Sequence, residues 1–265
     1  MKKYYYKATI QYDGTDYSGF QWQDGLRTIQ GDFLAALASI AGPSASLRAA
    51  SRTDSGVHAL GQVIRITSEK ALDLEKAPDL LNGLLHKQIR CLDMVETEKH
   101  FKPAHDCTSK EYRYLFTNTP GESGEKRRFI ANNPYPLNLD LMRTCIELLI
   151  GEHDFQNFVS LGKKNRPTVR RITSCELSLI DPREFLGRSQ LFPVPDDLKT
   201  CYELRVEGSG FMKHMIRHLT TALWKVGNKR LQVSEFQRLL TMKERVKPTW
   251  KLASPKGLFL SRIDY

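Results

Sequence analysis

Apolar and polar residues alternate from Tyr5 to Tyr12, and that period of two predicts a strand. The next seven residues, Asp13-Gly14-Thr15-Asp16-Tyr17-Ser18-Gly19, break the alternation with an Asp-Gly pair and a second glycine, as a loop does. After Thr28, a natural helix cap, Ile29, Phe33, Leu34, Leu37 and Ile40 recur at helical spacing and stop before Gly42-Pro43. A strand follows around Gln62-Val63-Ile64-Arg65-Ile66, then a helix from about Leu72 to Leu85 and a strand near Ile89 to Val95. Strand, helix, strand, strand, helix, strand is the order of a ferredoxin-like split βαβ unit. Polar Lys102 to Lys110, with Pro103, marks a boundary, and the second half starts again. It reads as a strand at Glu111–Thr117, a charged and mobile surface loop at Gly121–Arg128, and a helix at Leu139–Leu149. Extended segments at Arg170–Ile180 and Cys201–Val206 follow, then helices at Phe211–Val226 and Ser234–Leu240 and a final strand at Gly257–Ile263. The pattern predicts an α+β protein made of two unequal copies of one unit, with halves at 1–104 and 105–265.

Composition narrows the partners. Forty Lys+Arg against 30 Asp+Glu leave a formal charge of +10 on 265 residues, which calls for an anionic partner, nucleic acid first. No stretch approaches the roughly 18 apolar residues of a membrane-spanning helix, and the alternation after Met1-Lys2-Lys3 is not that of a signal peptide, so a cytoplasmic location is expected. The cysteines, Cys91, Cys107, Cys145, Cys175 and Cys201, are odd in number and widely spaced, which fits neither a disulfide framework nor a zinc site. No metal is expected.

Three segments carry candidate chemistry. In Arg52-Thr53-Asp54-Ser55-Gly56-Val57-His58 one carboxylate sits on a short turn at the head of a strand, with an arginine two residues before it. An aspartate in a turn commonly bonds its own backbone. A metal pair of Asp54 with His58 would need a helix that Gly56 and Val57 disfavour, and a triad drawn from Ser51 or Ser55, Asp54 and His58 fails because neighbours on extended chain face opposite ways. The chemical alternative is a carboxylate acting alone as nucleophile or base. In Ser109–Phe116 the alternation sends Tyr112, Tyr114 and Phe116 to one face; the latter two read as core, while Tyr112 could present its ring to a nucleobase. In Phe211–Leu219, Met212, Met215, Ile216 and Leu219 form a core stripe, and Arg217 could pair with a carboxylate or a phosphate.

In this order these segments resemble the TruA family of tRNA pseudouridine synthases. The family pattern around its aspartate is close to G-R-T-D-A-G-V-H-A-x-G-Q-V, and Ser51 to Val63 match it except at Ser51 and Ser55. Tyr12-Asp13-Gly14-Thr15-x-Tyr17-x-Gly19-Phe20-Gln21-x-Gln23 is similar to the N-terminal signature, with Phe20 where tryptophan is usual. Thr28-Ile29-Gln30-Gly31, Lys110-x-Tyr112-Arg113-Tyr114, Gly151-x-His153-Asp154-Phe155, Phe211-Met212-x-x-Met215-Ile216-Arg217 and Ala253-x-Pro255-x-Gly257-Leu258-x-Leu260 resemble the remaining motifs. The resemblance implies two ferredoxin-like halves sharing an extended, mainly antiparallel sheet, with an active cleft between them. It implies isomerisation of uridine to pseudouridine in the anticodon stem-loop of tRNA, at positions 38–40, by a homodimer without cofactor. Asp54 would be the nucleophile, Arg52 would hold the flipped nucleotide, Tyr112 would stack on its uracil, Arg217 would pair with Asp54, and Leu258 would line the base pocket. Two departures stand out. Ala104 replaces a common arginine, and the segment Asp181–Thr200 has no counterpart and reads as a recognition loop. The competing classes are a non-catalytic RNA-binding or RNA-folding protein of this fold, a synthase with another tRNA target, and a metal-dependent nuclease or deaminase, whose acidic or H-x-E with P-C-x-x-C signatures are absent.

Overall fold

The computed structural model describes residues 2–118, 128–160, 167–187, 189–194, 196–246 and 248–265. Ten strands and six α-helices lie among them, an α+β protein. The charged loop expected at 121–128 falls outside the described residues except for Arg128. The chain forms two compact units: residues 1–108 with 189–192 and 259–265, and residues 109–188 with 193–258. Each unit is thus discontinuous, unlike the continuous halves 1–104 and 105–265 expected from the sequence.

In the first unit β1 (Tyr4–Tyr12) is central. It pairs antiparallel with β3 (His58–Ser68) on one side and β4 (Ile89–Glu96) on the other, while β2 (Ser46–Ala49) pairs antiparallel with β3. The order β4-β1-β3-β2 with α1 (Ile29–Ala41) and α2 (Ala77–Leu84) in the crossovers is the ferredoxin-like pattern read from the sequence. The alternation of β1 buries Tyr6, Ala8, Ile10 and Tyr12, against which the core adds Ile29, Phe33 and Leu37 of α1 and Leu81 of α2. Thr28 caps α1, its side chain accepting from the Gly31 amide. Helix α2 starts later than the periodicity suggested, because Asp73 turns the chain: its carboxylate takes the Glu75 amide and its carbonyl takes those of Lys76 and Ala77. Pro78 then sits in the first helical turn, where a missing N–H costs nothing.

The second unit has the order β5-β9-β8-β7, antiparallel throughout, formed by β5 (Ser109–Thr117), β7 (Gly151–Asp154), β8 (Val169–Ile180) and β9 (Cys201–Gly208), with the short β6 (Ala131–Asn132) parallel to β5. Helix α3 (Leu139–Glu147), capped by the Asn138 side chain, lies against α5 (Met215–Gly227) and α6 (Val233–Thr241). Helix α5 corrects the expected start at Phe211. His214 takes a left-handed φ of 62°, which ends any helix reaching it from Phe211 and lets α5 begin at Met215. The segment 181–200 is not a bare loop: it carries α4 (Pro182–Leu186), capped by Asp181, and its residues 189–192 belong to the first unit. There the Ser189 hydroxyl donates to Gln11 Oε1 at 2.7 Å, and Phe192 is buried with its ring edge-on to those of His58 and Phe259. The last strand, β10 (Leu258–Asp264), pairs parallel with β3 at Phe259–His58 and Leu260–Ala59.

Candidate active site

Asp54 lies four residues ahead of β3 on a tight turn closed by the Val57 amide donating to the Asp54 carbonyl at 3.1 Å. Gly56 is the third residue of that turn at φ 76°, a conformation that favours glycine. The segment is held from several sides. Ahead of Asp54, the buried Gln62 side chain grips Ser51 twice, taking its amide on Oε1 at 3.1 Å and donating Nε2 to its carbonyl at 2.7 Å. Next to Asp54, Thr53 has its carbonyl bonded by the Phe20 amide (3.0 Å) and its hydroxyl bonded to the Tyr12 hydroxyl (2.8 Å). Beyond it, the Ser55 hydroxyl donates to the Tyr17 carbonyl at 3.0 Å. That hydroxyl is turned to the backbone and builds structure.

Beneath the turn lies a buried acid and imidazole. His58, at 0% exposure, places Nδ1 3.2 Å from Asp13 Oδ1 and 3.1 Å from the Gly14 amide, with its ring stacked on Phe259 at 4.8 Å. Asp13 also accepts from the amide and hydroxyl of Thr15 and from Gln88 Nε2. Burial alone would raise its carboxyl pKa, but the bonds from His58 and Thr15 outweigh it and hold the group well below the usual carboxylate range. Gly14 presses on the same turn. A Cβ there would come within 2.8 Å of the Val57 carbonyl carbon.

The remaining expected residues divide between the units. Arg52 is exposed in the first, two residues from Asp54. Tyr112, Arg217 and Leu258 are in the second. Tyr112 on β5 is buried, 7% exposed, with its ring edge-on to Phe211 at 5.2 Å. Arg217, the third residue of α5, donates Nε to the Ala253 carbonyl at 2.7 Å, and Tyr114 donates its hydroxyl to the neighbouring Ser254 carbonyl at 2.8 Å. Both anchor the chain just ahead of Leu258, which is buried at the start of β10. Burial pushes the Tyr114 hydroxyl far above its ordinary range despite the nearby Arg217 charge. Sequence reasoning passed over Tyr12, Asp13, Gly14 and Gln62 as working parts, although all four fall inside the quoted motifs, and it weighed His58 only as a ligand or triad member. Among the described residues, no three of His, Cys, Asp and Glu gather in a way that could hold a metal ion.

A family model described as tRNA pseudouridine synthase matches residues 8–103 and 145–265. The chain belongs to the tRNA pseudouridine synthase family. Relatives called tRNA pseudouridine synthase A run the length of it: that of Bacillus pumilus is 33% identical over 261 residues, 98% of each chain. That of Pseudothermotoga lettingae is 34% identical over 269 residues, 100% of each, and that of Streptococcus gordonii 34% over 263, 98% of each. A chain of a solved Cbf5-Nop10-Gar1 complex is similar over 82% of this chain and 54% of its own, at 14% identity and TM-score 0.30, too slight a likeness to argue from. The chemistry of such an isomerase needs a carboxylate, a means of holding the base while it is detached, and positive charge near the phosphates, and this chain has residues of each kind.

Proposed function

We propose that this chain converts uridine to pseudouridine in the anticodon stem-loop of tRNA, at positions 38–40, with Asp54 as the reacting carboxylate. The observation that carries the reading is the Asp54 turn itself: residues on both sides of Asp54 are bonded to buried groups, while the aspartate is half-buried and Arg52 beside it is exposed. In the reaction the bond from N1 of uracil to the sugar C1′ breaks, a bond from C5 to C1′ forms, the C5 proton leaves and N1 takes up a proton. All atoms of the nucleoside are conserved, so no oxidant or reductant is consumed and a cofactor has no task. Asp54 supplies the nucleophile or base near C1′. Arg52 and Arg217 hold the nucleotide and its charge, Tyr112 offers its ring to the uracil, and Leu258 lines the base pocket. A uridine in a stem must first leave its stack, at a cost of a few kcal/mol.

The protein acts in the cytoplasm as a homodimer on this reading. The charge of +10 per chain doubles on pairing, so RNA affinity should fall steeply with salt. Light scattering across working concentrations tests the dimer, and a fully active monomer would remove it. The chemistry is tested with unmodified tRNA transcripts carrying tritium at C5 of uridine, read as tritium released to water, with pseudouridines mapped afterwards. Asp54→Asn keeps the shape and removes the charge, so turnover should vanish while tRNA still binds. Turnover near the wild-type rate would sink the mechanism, and pseudouridine at another position would move the target without touching the chemistry.

A further inference from the structure

The first unit exposes a large aromatic ring on the loop whose Phe20 amide is bonded to Thr53, the residue before the candidate nucleophile. Trp22 is 56% exposed, on the loop between β1 and α1, with Leu26 at 51% on the same loop. The loop is rigidly tied. The Trp22 amide donates to Gln30 Oε1 at 2.9 Å, the Ser18 amide to the Arg27 carbonyl at 2.9 Å, and the Ile29 and Gln30 amides to the Gly19 and Phe20 carbonyls at 3.2 and 2.9 Å. The indole rests over Gly31: a Cβ there would lie 3.4 Å from Trp22 Cδ1. An indole kept in water by a pinned backbone and a seat on glycine is preorganised for a flat partner, because little further ordering is needed when it binds.

Its position follows from the hydrogen bonds. Phe20, two residues before Trp22, donates its amide to the carbonyl of Thr53, which directly precedes Asp54. Two residues of chain, one backbone hydrogen bond and one peptide step place the Trp22 backbone within about 16 Å of that of Asp54. That is within about five base steps of 3.4 Å along one strand. The loop offers no phosphate clamp. Its Arg27 is spent internally, lying 4.4 Å over the buried Tyr17 ring and bonded to Asp32 at 3.2 Å, and Asp24 offsets its charge. What the loop presents is an exposed indole on a strongly basic chain.

We propose that Trp22 is a stacking platform for a nucleobase of the tRNA flanking the flipped uridine. The inference rests on tRNA being the substrate and Asp54 the reacting group. Taking one base out of a stack leaves its neighbours with an uncovered face, and an indole can cover one of them without reading its sequence.

The test compares wild type, Trp22→Ala and Trp22→Phe as full-length protein on unmodified tRNA transcripts, by binding, steady-state kinetics and intrinsic fluorescence. Trp22→Ala should weaken tRNA affinity by about five- to 150-fold, the span of one base stack. The loss should fall on KM more than on kcat, and Trp22→Phe should recover part of it. Wild-type fluorescence should be quenched by saturating tRNA, and the quench should shrink in Trp22→Phe. Unchanged tRNA affinity in Trp22→Ala overturns the proposal, and so does a quench that survives in Trp22→Phe. Unchanged affinity with an altered mass by light scattering would also overturn it and make Trp22 a contact between copies. Failure of the enzymatic reading appears separately, as no tritium release by the wild type, and leaves the affinity comparison to decide on Trp22.

Discussion

The close approach of Gly14 to Val57 allows a sharp test of whether the Asp54 turn must be held in place. Gly14 does not take a positive φ, so Gly14→Ala adds one methyl group and imposes nothing on the backbone. That Cβ would stand 2.8 Å from the Val57 carbonyl carbon and 3.2 Å from its nitrogen, and closer still to the carbonyl oxygen. Carbon atoms pack at about 3.5–4.0 Å, so the two backbones must part by at least about 0.7 Å. Neither is a flexible tip: the Gly14 amide bonds His58 Nδ1, and the Val57 amide closes the Asp54 turn. Overpacking of this kind costs about 1–3 kcal/mol of stability, and a reacting group misplaced by about 1 Å can lose 10²-fold in rate. Single-turnover tritium release should therefore drop by about 10²-fold in a protein that still melts cooperatively below the wild type. Gly83→Ala is the control. It lies in α2 with nothing within 4 Å of a new Cβ, and it should leave turnover alone while gaining up to about 1 kcal/mol of helix propensity. Wild-type turnover in Gly14→Ala would refute the claim that the cradle sets the position of Asp54.

Two further outcomes follow from the second unit. Burial, helped by the charges of His214, Arg217 and Arg245, pulls the His218 pKa down to about 4, so the folded protein keeps this imidazole neutral where the unfolded chain would protonate it. The stabilisation is complete above the ordinary value near 6.5 and is lost as pH falls to about 4, on the order of 3 kcal/mol at most; His218→Gln should flatten that limb in urea unfolding between pH 7 and 4, and an unchanged slope would show that the native state protonates freely. At Tyr112, a phenyl ring keeps both the contact with Phe211 and a face for stacking, so Tyr112→Phe should cost little activity, whereas Tyr112→Ala should lose activity and about 3–5 kcal/mol of stability. Equal loss of turnover in both, with Tyr112→Phe as stable as wild type, would transfer the role from the ring to the hydroxyl.

What the sequence revealed and what it hid have physical causes. Strands and helices of the first unit were legible because one face of each is buried: the alternation Tyr6, Ala8, Ile10, Tyr12 and the stripe Ile29, Phe33, Leu37 are the core itself. The start of α5 was not. Met212 continues the apolar period of the helix, but a single left-handed residue, His214, overrides periodicity and leaves no apolar signal. The segment 181–200 read as a recognition loop because its Pro and charged residues hide long-range contacts, Ser189 on Gln11 and Phe192 on His58 and Phe259, that no local pattern can encode. Asp54 stood out through its neighbours, whereas Gln62 looked like an ordinary polar position and His58 was weighed only as a ligand or triad member. Their importance lies in being fully buried, a property of the folded surface and not of the residue type.

That burial says why a polar network, and not an apolar core, lies under the Asp54 turn. A turn cannot satisfy its own amides and carbonyls as a helix or sheet does, so those facing inward must meet side chains or pay the cost of an unmade bond, about 1–3 kcal/mol each. The Gln62 side chain meets the amide and carbonyl of Ser51 and the Tyr12 hydroxyl meets that of Thr53, while the backbones of Phe20 and Tyr17 meet the Thr53 carbonyl and the Ser55 hydroxyl. Apolar side chains of the same volume in place of Gln62 and Tyr12 would fill the space equally well but would orphan the Ser51 groups and the Thr53 hydroxyl. Hydrogen bonds restrict direction as well as distance, and direction is what a reacting carboxylate needs from the turn that carries it. The same argument explains the Asp13–His58 pair: Asp13 closes the Thr15 turn while His58 Nδ1 lies against both the Asp13 carboxylate and the Gly14 amide, so the loop carrying Gly14 is locked in the register that lets its backbone touch Val57. The buried polar groups of this unit therefore bear on Asp54 through position, by bonds to the segment that carries it and to the loop packed against Val57.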